Sequence, residues 1–227
     1  MLHKFARQTL RSLALAGGLT LVCLVTAEEG FVLERVLQAV QQRHGSKGVA
    51  VVRDWNHVLE VFRSGSEQQK LRDINEYFNR KLRFEDDQKL WNQPDYWATP
   101  IEALLRGAGD CEDFAIAKYF SLKFVGVPVS KLRITYVRAR IGGPDSSLLQ
   151  AHMVLTYYAT PDAEPLVLDN LVSEIRPASR RPDLLPIFSF NSEGVFVPGS
   201  SLPQQGNGSR LSRWNDLVLK MQAEGID

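Results

Sequence analysis

Apolar positions follow two different periods along this chain. Over residues 31–43, Phe31, Leu33, Val36, Leu37 and Val40 recur at near-helical spacing and stop at Gly45. Over 66–84, Leu71, Ile74, Tyr77, Phe78 and Leu82 share one face of a segment rich in helix formers. Both predict helices that face a core. A third helix is predicted from Asp110, because Gly109-Asp110 is a plausible start and Gly126 followed by Pro128 is a stop. Its body, FAIAKYFSLKFV, is apolar almost all round, with Lys118 and Lys123 the main exceptions. Such a segment belongs in the middle of a fold.

The period then falls to two. Residues 131–139 (KLRITYVRA), 151–158 (AHMVLTYY) and 165–171 (PLVLDNL) predict strands separated by GGPDSS and TPDAE. Residues 172–208 predict loop with one or two short strands around 187–197. Residues 209–224, with Leu211, Trp214, Leu217, Val218 and Met221 on one side, predict a closing amphipathic helix. Helices followed by an antiparallel meander make an α+β layout. Between 85 and 100 the run EDDQKLWNQPDYWATP concentrates Trp91, Tyr96 and Trp97, which either pack beneath a long loop or line a groove.

Composition narrows the class. With 227 residues, 44% of them apolar, and 27 Lys+Arg against 26 Asp+Glu, the chain can bury a core and is neither a disordered tail nor a basic nucleic-acid binder. The first residues set the expected compartment. Lys4, Arg7 and Arg11 precede an apolar run from Leu13 to Val25, and Val25-Thr26-Ala27 places small residues before Glu28. That is the pattern of a secretory signal peptide over 1–27, too short in its apolar part for the ~20 residues of a spanning helix. The expectation is therefore an exported chain without stable membrane insertion, its residues 28–227 forming one domain. Val22 before Cys23 argues against a lipoprotein anchor.

Export leaves Cys111 as the single cysteine, in a compartment where spare thiols are normally paired or absent. It is either a buried inert thiol or a nucleophile. A nucleophile needs a base, and of the four histidines His3 lies in the signal segment while His44 and His57 sit in polar, exposed-looking helix ends. His152 remains. A hairpin around TPDAE sets Asp169 opposite His152 on one face of the sheet, within a residue or so of register. A Cys-His-Asp arrangement requires that placement.

The immediate neighbours oppose it. Asp110, Glu112 and Asp113 disfavour a thiolate, since like charges ~4 Å apart cost about 4 kcal/mol at an effective dielectric of 20. The helix dipole returns only about 0.3–1 kcal/mol per exposed acid. Either the three acids are helix caps, or they hold a hard divalent cation, for which oxygen ligands select calcium over zinc.

The strings GAGDCEDFAIAK, AHMVL and LVLDN, with YWATPIEALLRGAGDCED upstream, resemble the bacterial transglutaminase-like cysteine proteinases, and among them the LapG-type periplasmic proteases, from about residue 50 to 190. The loops after 172 carry no matching motif. The resemblance implies a papain-like or transglutaminase-like fold, with a central helix bearing the Cys packed on an antiparallel sheet bearing the His and Asp. It implies Cys111 as nucleophile, His152 as general base and acid, Asp169 as the residue orienting His152, and Ca2+ at Asp110, Glu112 and Asp113. It further implies cleavage of the N-terminal region of a large LapA-like surface adhesin near paired alanines, with biofilm dispersal, under a LapD-like inner-membrane receptor that answers to cyclic di-GMP. Two other activities fit the same residues: an acyl transferase or amidase, and a non-catalytic calcium-binding interaction module.

Overall fold

In the computed structural model, residues 32–204 and 212–226 are described. The predicted signal peptide lies outside them, as do Phe31 and Leu211 of the predicted helices. Helix α1, Leu33–Arg63, breaks at Gly45, whose φ of 64° and ψ of −158° are non-helical. The predicted stop is therefore real, but the chain re-enters a helix at once. The second half of α1 buries Val52, Trp55 and Leu59, one stripe at helical spacing to which the sequence reading assigned no element. His57 consequently sits in the body of this helix rather than at an end, exposed as expected.

Helix α2, Glu67–Lys81, starts at Ser66, whose hydroxyl accepts the Gln69 N–H at 3.3 Å, and buries Leu71, Ile74 and Phe78. The segment that follows is more ordered than a long loop. It forms β1 (Arg83–Phe84), one turn of helix α3 (Asp87–Leu90) and helix α4 (Pro100–Arg106). Thr99 and Glu102 cap α4 reciprocally, the Thr99 hydroxyl accepting from the Glu102 N–H at 3.1 Å and the Glu102 carboxylate from the Thr99 N–H at 2.9 Å. Strand β2, Ala108–Gly109, pairs in parallel with β1.

Helix α5, Cys111–Phe124, is the predicted central helix and is buried over nearly its whole length. Beyond it lies one antiparallel sheet of β3 (Leu132–Arg140), β4 (Leu149–Tyr157), β5 (Leu166–Leu168), β6 (Arg176–Pro177), β7 (Leu184–Asn191) and β8 (Gly194–Phe196). Its spatial order is β6-β5-β4-β3-β7-β8. Leu132 and Ile134 of β3 and Met153, Leu155 and Tyr157 of β4 join α5 residues such as Ile116, Tyr119 and Leu122 in the main core. Alternate positions on the other face form a smaller cluster of Val137, Val154 and Val167.

Helix α6, Ser212–Ala223, closes the core through Trp214, which stacks on Phe120 with ring centroids 5.6 Å apart and meets Tyr119 edge to face. None of the described helices is long and apolar enough to cross a membrane. The arrangement is the expected α+β fold, a central helix against an antiparallel sheet.

Candidate active site

Cys111 is the first residue of α5 and is half-buried. The chain reaches it through a short parallel ladder, in which Arg83 N–H donates to the Gly107 carbonyl and Glu85 N–H to the Gly109 carbonyl, both at 3.0 Å. Gly109 is required by contact: a Cβ there would lie 2.7 Å from both the Cβ and Oδ2 of Asp113. Asp113 is in turn fixed by accepting the Ala98 N–H at 2.8 Å and the Asp110 N–H at 3.4 Å. The string Gly-Asp-Cys-Glu-Asp is thus a folded unit that presents the thiol at a helix start.

His152 and Asp169 are brought together. His152 Nε2 lies 2.8 Å from Asp169 Oδ1, and both side chains are buried. The register differs by two residues from direct opposition, because Leu155 faces Leu168 and the ladder carried one step further brings Asp169 level with Val154. A shift of two preserves the face, so the pairing survives. Asp169 Oδ1 also accepts the Leu171 N–H at 3.1 Å, and Oδ2 accepts Arg181 Nη2 at 2.7 Å. Burial opposes its ionisation, but the hydrogen bonds from His152 and Arg181 prevail and hold its pKa at about 2. With Nε2 engaged, Nδ1 is the ring nitrogen left to exchange a proton with a thiol.

Two cations here had no part in the sequence reading of the site. Arg181 bridges Asp169 and Asp183, and nothing in its local sequence marks it. Lys118 is buried in α5, and burial pulls its pKa down to about 7 against the opposing field of Asp169. Its position seven residues after Cys111, in the apolar body of the helix, is a readable signal.

Cys111 and His152 line one cleft of about 470 Å³, together with Trp97, Tyr136, Met153 and Phe188. The thiol donates to Glu112 Oε2 at 3.1 Å. Burial pushes its pKa far up, the Glu112 and Asp110 charges push it further, and the main-chain N–H of Met153 pulls the other way. Each of these influences but the last favours the protonated thiol.

The cause of that state is also the likeness of a cation site. Asp87, Asp110 and Asp113 place carboxylate oxygens within 4.8 Å of one another, and Asp87, Asp95 and Glu112 do the same. Asp87 Oδ1 and Asp110 Oδ1 are buried without a hydrogen-bond partner. Burial raises Asp110 and Asp113 well above the carboxylate range, with Glu112 adding to both, and raises Asp87 to about 6. Orphaned, mutually repelling oxygens of this kind fit a hard divalent ion. Asp110, Glu112 and Asp113 belong to these carboxylate groups, and Asp87 and Asp95, which the sequence did not single out, join them. The acidic run at 85–87 is a local signal for Asp87, whereas Asp95 has none.

Residues 36–182 match the family model described as bacterial transglutaminase-like cysteine proteinase. The chain belongs to that family. Legionella pneumophila LapG is 37% identical, with a TM-score of 0.69 over 85% of this chain and 99% of that one. Its calcium-bound form gives a TM-score of 0.70 over 84% and 99%, and its EGTA-treated form 0.71 over 85% and 99%, again at 37% identity. No curated protein sequence matches the chain.

In this transglutaminase-like cysteine proteinase the three aromatics divide. Trp97 lines the cleft and stacks on Phe190 at 5.7 Å, whereas Trp91 and Tyr96 pack on each other at 4.5 Å. Arg106 lies 4.7 Å from the Trp91 ring and Lys220 3.7 Å from the Tyr96 ring. The Tyr96 N–H donates to Asp87 Oδ2, so the aromatic loop also orients an acid of the proteinase's carboxylate cluster.

Proposed function

We propose that this chain is a calcium-dependent periplasmic cysteine endopeptidase that cuts the N-terminal region of a large LapA-like surface adhesin, under a LapD-like inner-membrane receptor. The reading rests above all on the buried His152–Asp169 pair beside Cys111 at the head of α5. Asp169 and Arg181 hold the imidazole so that Nδ1 takes the thiol proton. The thiolate sulfur attacks the scissile carbonyl carbon, the C–N bond breaks as His152 gives its proton to the leaving amine, and a thioester remains on Cys111. His152 then removes a proton from water, whose oxygen displaces the sulfur and releases the acid product. The N–H of Cys111, free at the first helical position, supplies part of an oxyanion hole.

Asp87, Asp110 and Glu112, with Asp95 and Asp113, are the residues that would hold calcium. Bound there, the ion supplies positive charge beside the thiol and so favours its ionised form. The Cys111 neighbourhood is otherwise too negative for that form. The calcium-bound form of the related LapG supports calcium as the ion.

The test is incubation of the purified protein with an N-terminal adhesin fragment containing paired alanines, in calcium and in chelator, beside Cys111→Ala. Cleavage that needs calcium and is lost in the variant is the expected result. Cleavage by Cys111→Ala overturns the thiol mechanism, and transfer to an added amine in place of hydrolysis moves the reading to an acyl transferase.

A further inference from the structure

The sheet face opposite α5 carries a second cavity, which meets the cleft at Cys111 at Phe188. It has a volume of about 390 Å³ and runs along β3 past Arg133, Thr135 and Val137, with Val154, Thr156 and Val167 from β4 and β5. Residues 197–201 and Arg181 line its other sides. A volume of that size falls within the roughly 300–1,000 Å³ of small-molecule sites.

Two arginines in this lining have donors left over. Arg133 is 4% exposed; its Nη1 and Nη2 donate to the Ser200 and Ser201 carbonyls at 3.1 and 3.3 Å, and its Nε is buried without a partner. Arg181 is 3% exposed, with Nε and Nη2 on Asp183 and Asp169 and Nη1 unpartnered. Their charges differ in standing. Arg181 is answered by two carboxylates, but among the described residues no carboxylate pairs with Arg133, whose guanidinium lies 3.8 Å from the Phe196 ring and 4.3 Å from that of Tyr158.

A buried cation without a counter-ion is costly, and a donor without an acceptor adds to the cost. The lining hydroxyls do not relieve it. Thr156 donates to the Arg133 carbonyl at 3.0 Å, and Thr135 pairs with Thr156 at 2.8 Å, so both hydroxyl protons are engaged. What remains, among the described residues, is one positive charge without a carboxylate partner beside an apolar trough. Exposed Asp162 at the rim disfavours a second negative charge.

We propose that this cavity binds a small monoanionic amphiphile, its carboxylate on Arg133 and its apolar body along Val137, Val154 and Val167. From Arg133 to Val137 the trough follows about 13 Å of strand at about 3.3 Å per residue, the reach of a medium-chain fatty acid. The proposal does not rest on the proteinase reading: Arg133, Val137, Val154 and Val167 are outside the lining of the Cys111 cleft, although Phe188 lines both and Arg181 of this wall also holds Asp169.

The test uses the full chain and decanoate below its micelle concentration, with decanol as the neutral control. Calorimetry is expected to give saturable one-to-one binding of decanoate, weakened at least about tenfold by Arg133→Met and at least about tenfold for decanol. Spectra of the unmutated chain, with decanoate added, provide a second readout that does not depend on the variant folding. There the Arg133 Nε–H and the methyls of Val137, Val154 and Val167 are expected to shift. No saturable binding, equal binding of decanol, or shifts confined to other residues would each overturn the site.

Discussion

Arg181 donates Nη2 to Asp169 Oδ2 at 2.7 Å, the oxygen opposite the one that meets His152. The carboxylate is therefore gripped from both sides, and its orientation depends on a residue twelve positions away. Removing one partner of a buried ion pair typically costs about 3–5 kcal/mol, so Arg181→Met is expected to destabilise the chain by that order. Peptidase turnover should fall with it. Denaturant titration and kcat/KM measure the two effects, and unchanged stability would show that Arg181 is dispensable to Asp169.

Asp169→Asn keeps the shape but can donate to His152 and so select the wrong ring tautomer. Turnover is expected to drop by roughly 10²–10⁴-fold with little change in fold. Cys111→Ala should abolish turnover while leaving substrate binding intact. Single-turnover kinetics and peptide affinity distinguish these outcomes.

Acid stability follows from the same carboxylate. Its folded pKa is depressed to about 2, below the ordinary value of ~3.9. Its contribution, roughly 2–3 kcal/mol, is thus complete above about pH 4 and lost as pH falls toward 2. Asp169→Asn should flatten the stability profile in that window.

Asp87 and Glu224 have the opposite sign, burial raising them to about 6 and about 8. The folded chain then binds more protons than the unfolded one over that range. Without calcium, stability should rise as pH is lowered from 8 toward 5. Calcium should flatten the part due to Asp87. Thermal melts across pH with calcium and with chelator check both statements.

Asp87→Asn tests the missed member of the acidic cluster. A ligand at a hundred times its Kd stabilises by about 2.7 kcal/mol, so calcium should raise the Tm of the unmutated chain and raise it much less in this variant. An equal shift in both chains would remove Asp87 from the ion's ligands.

Much of this was legible because periodicity and local chemistry coincide. The apolar body of α5, the alternation of β3 and β4, and the spacing of His152 and Asp169 each carry a local pattern. The second half of α1 was missed because Gly45 looks like an end, when the chain only turns there before resuming. Asp95 and Arg181 were missed for a different reason. Their roles arise from contacts made across the fold, and a carboxylate or guanidinium in a loop has the same local appearance with or without such a contact.

The two-residue ladder between β1 and β2 ties the acidic segment to the stretch just before the nucleophile. Its hydrogen bond from Glu85 to Gly109 lies two residues from Asp87 on one side and two from Cys111 on the other. Loosening the 85–95 segment therefore disturbs the seat of the thiol as well as the acids. A substrate that pulled on that segment, or a partner that clamped it, would act on the sulfur through the backbone alone, and the Glu85 amide would register the event by its rate of hydrogen exchange.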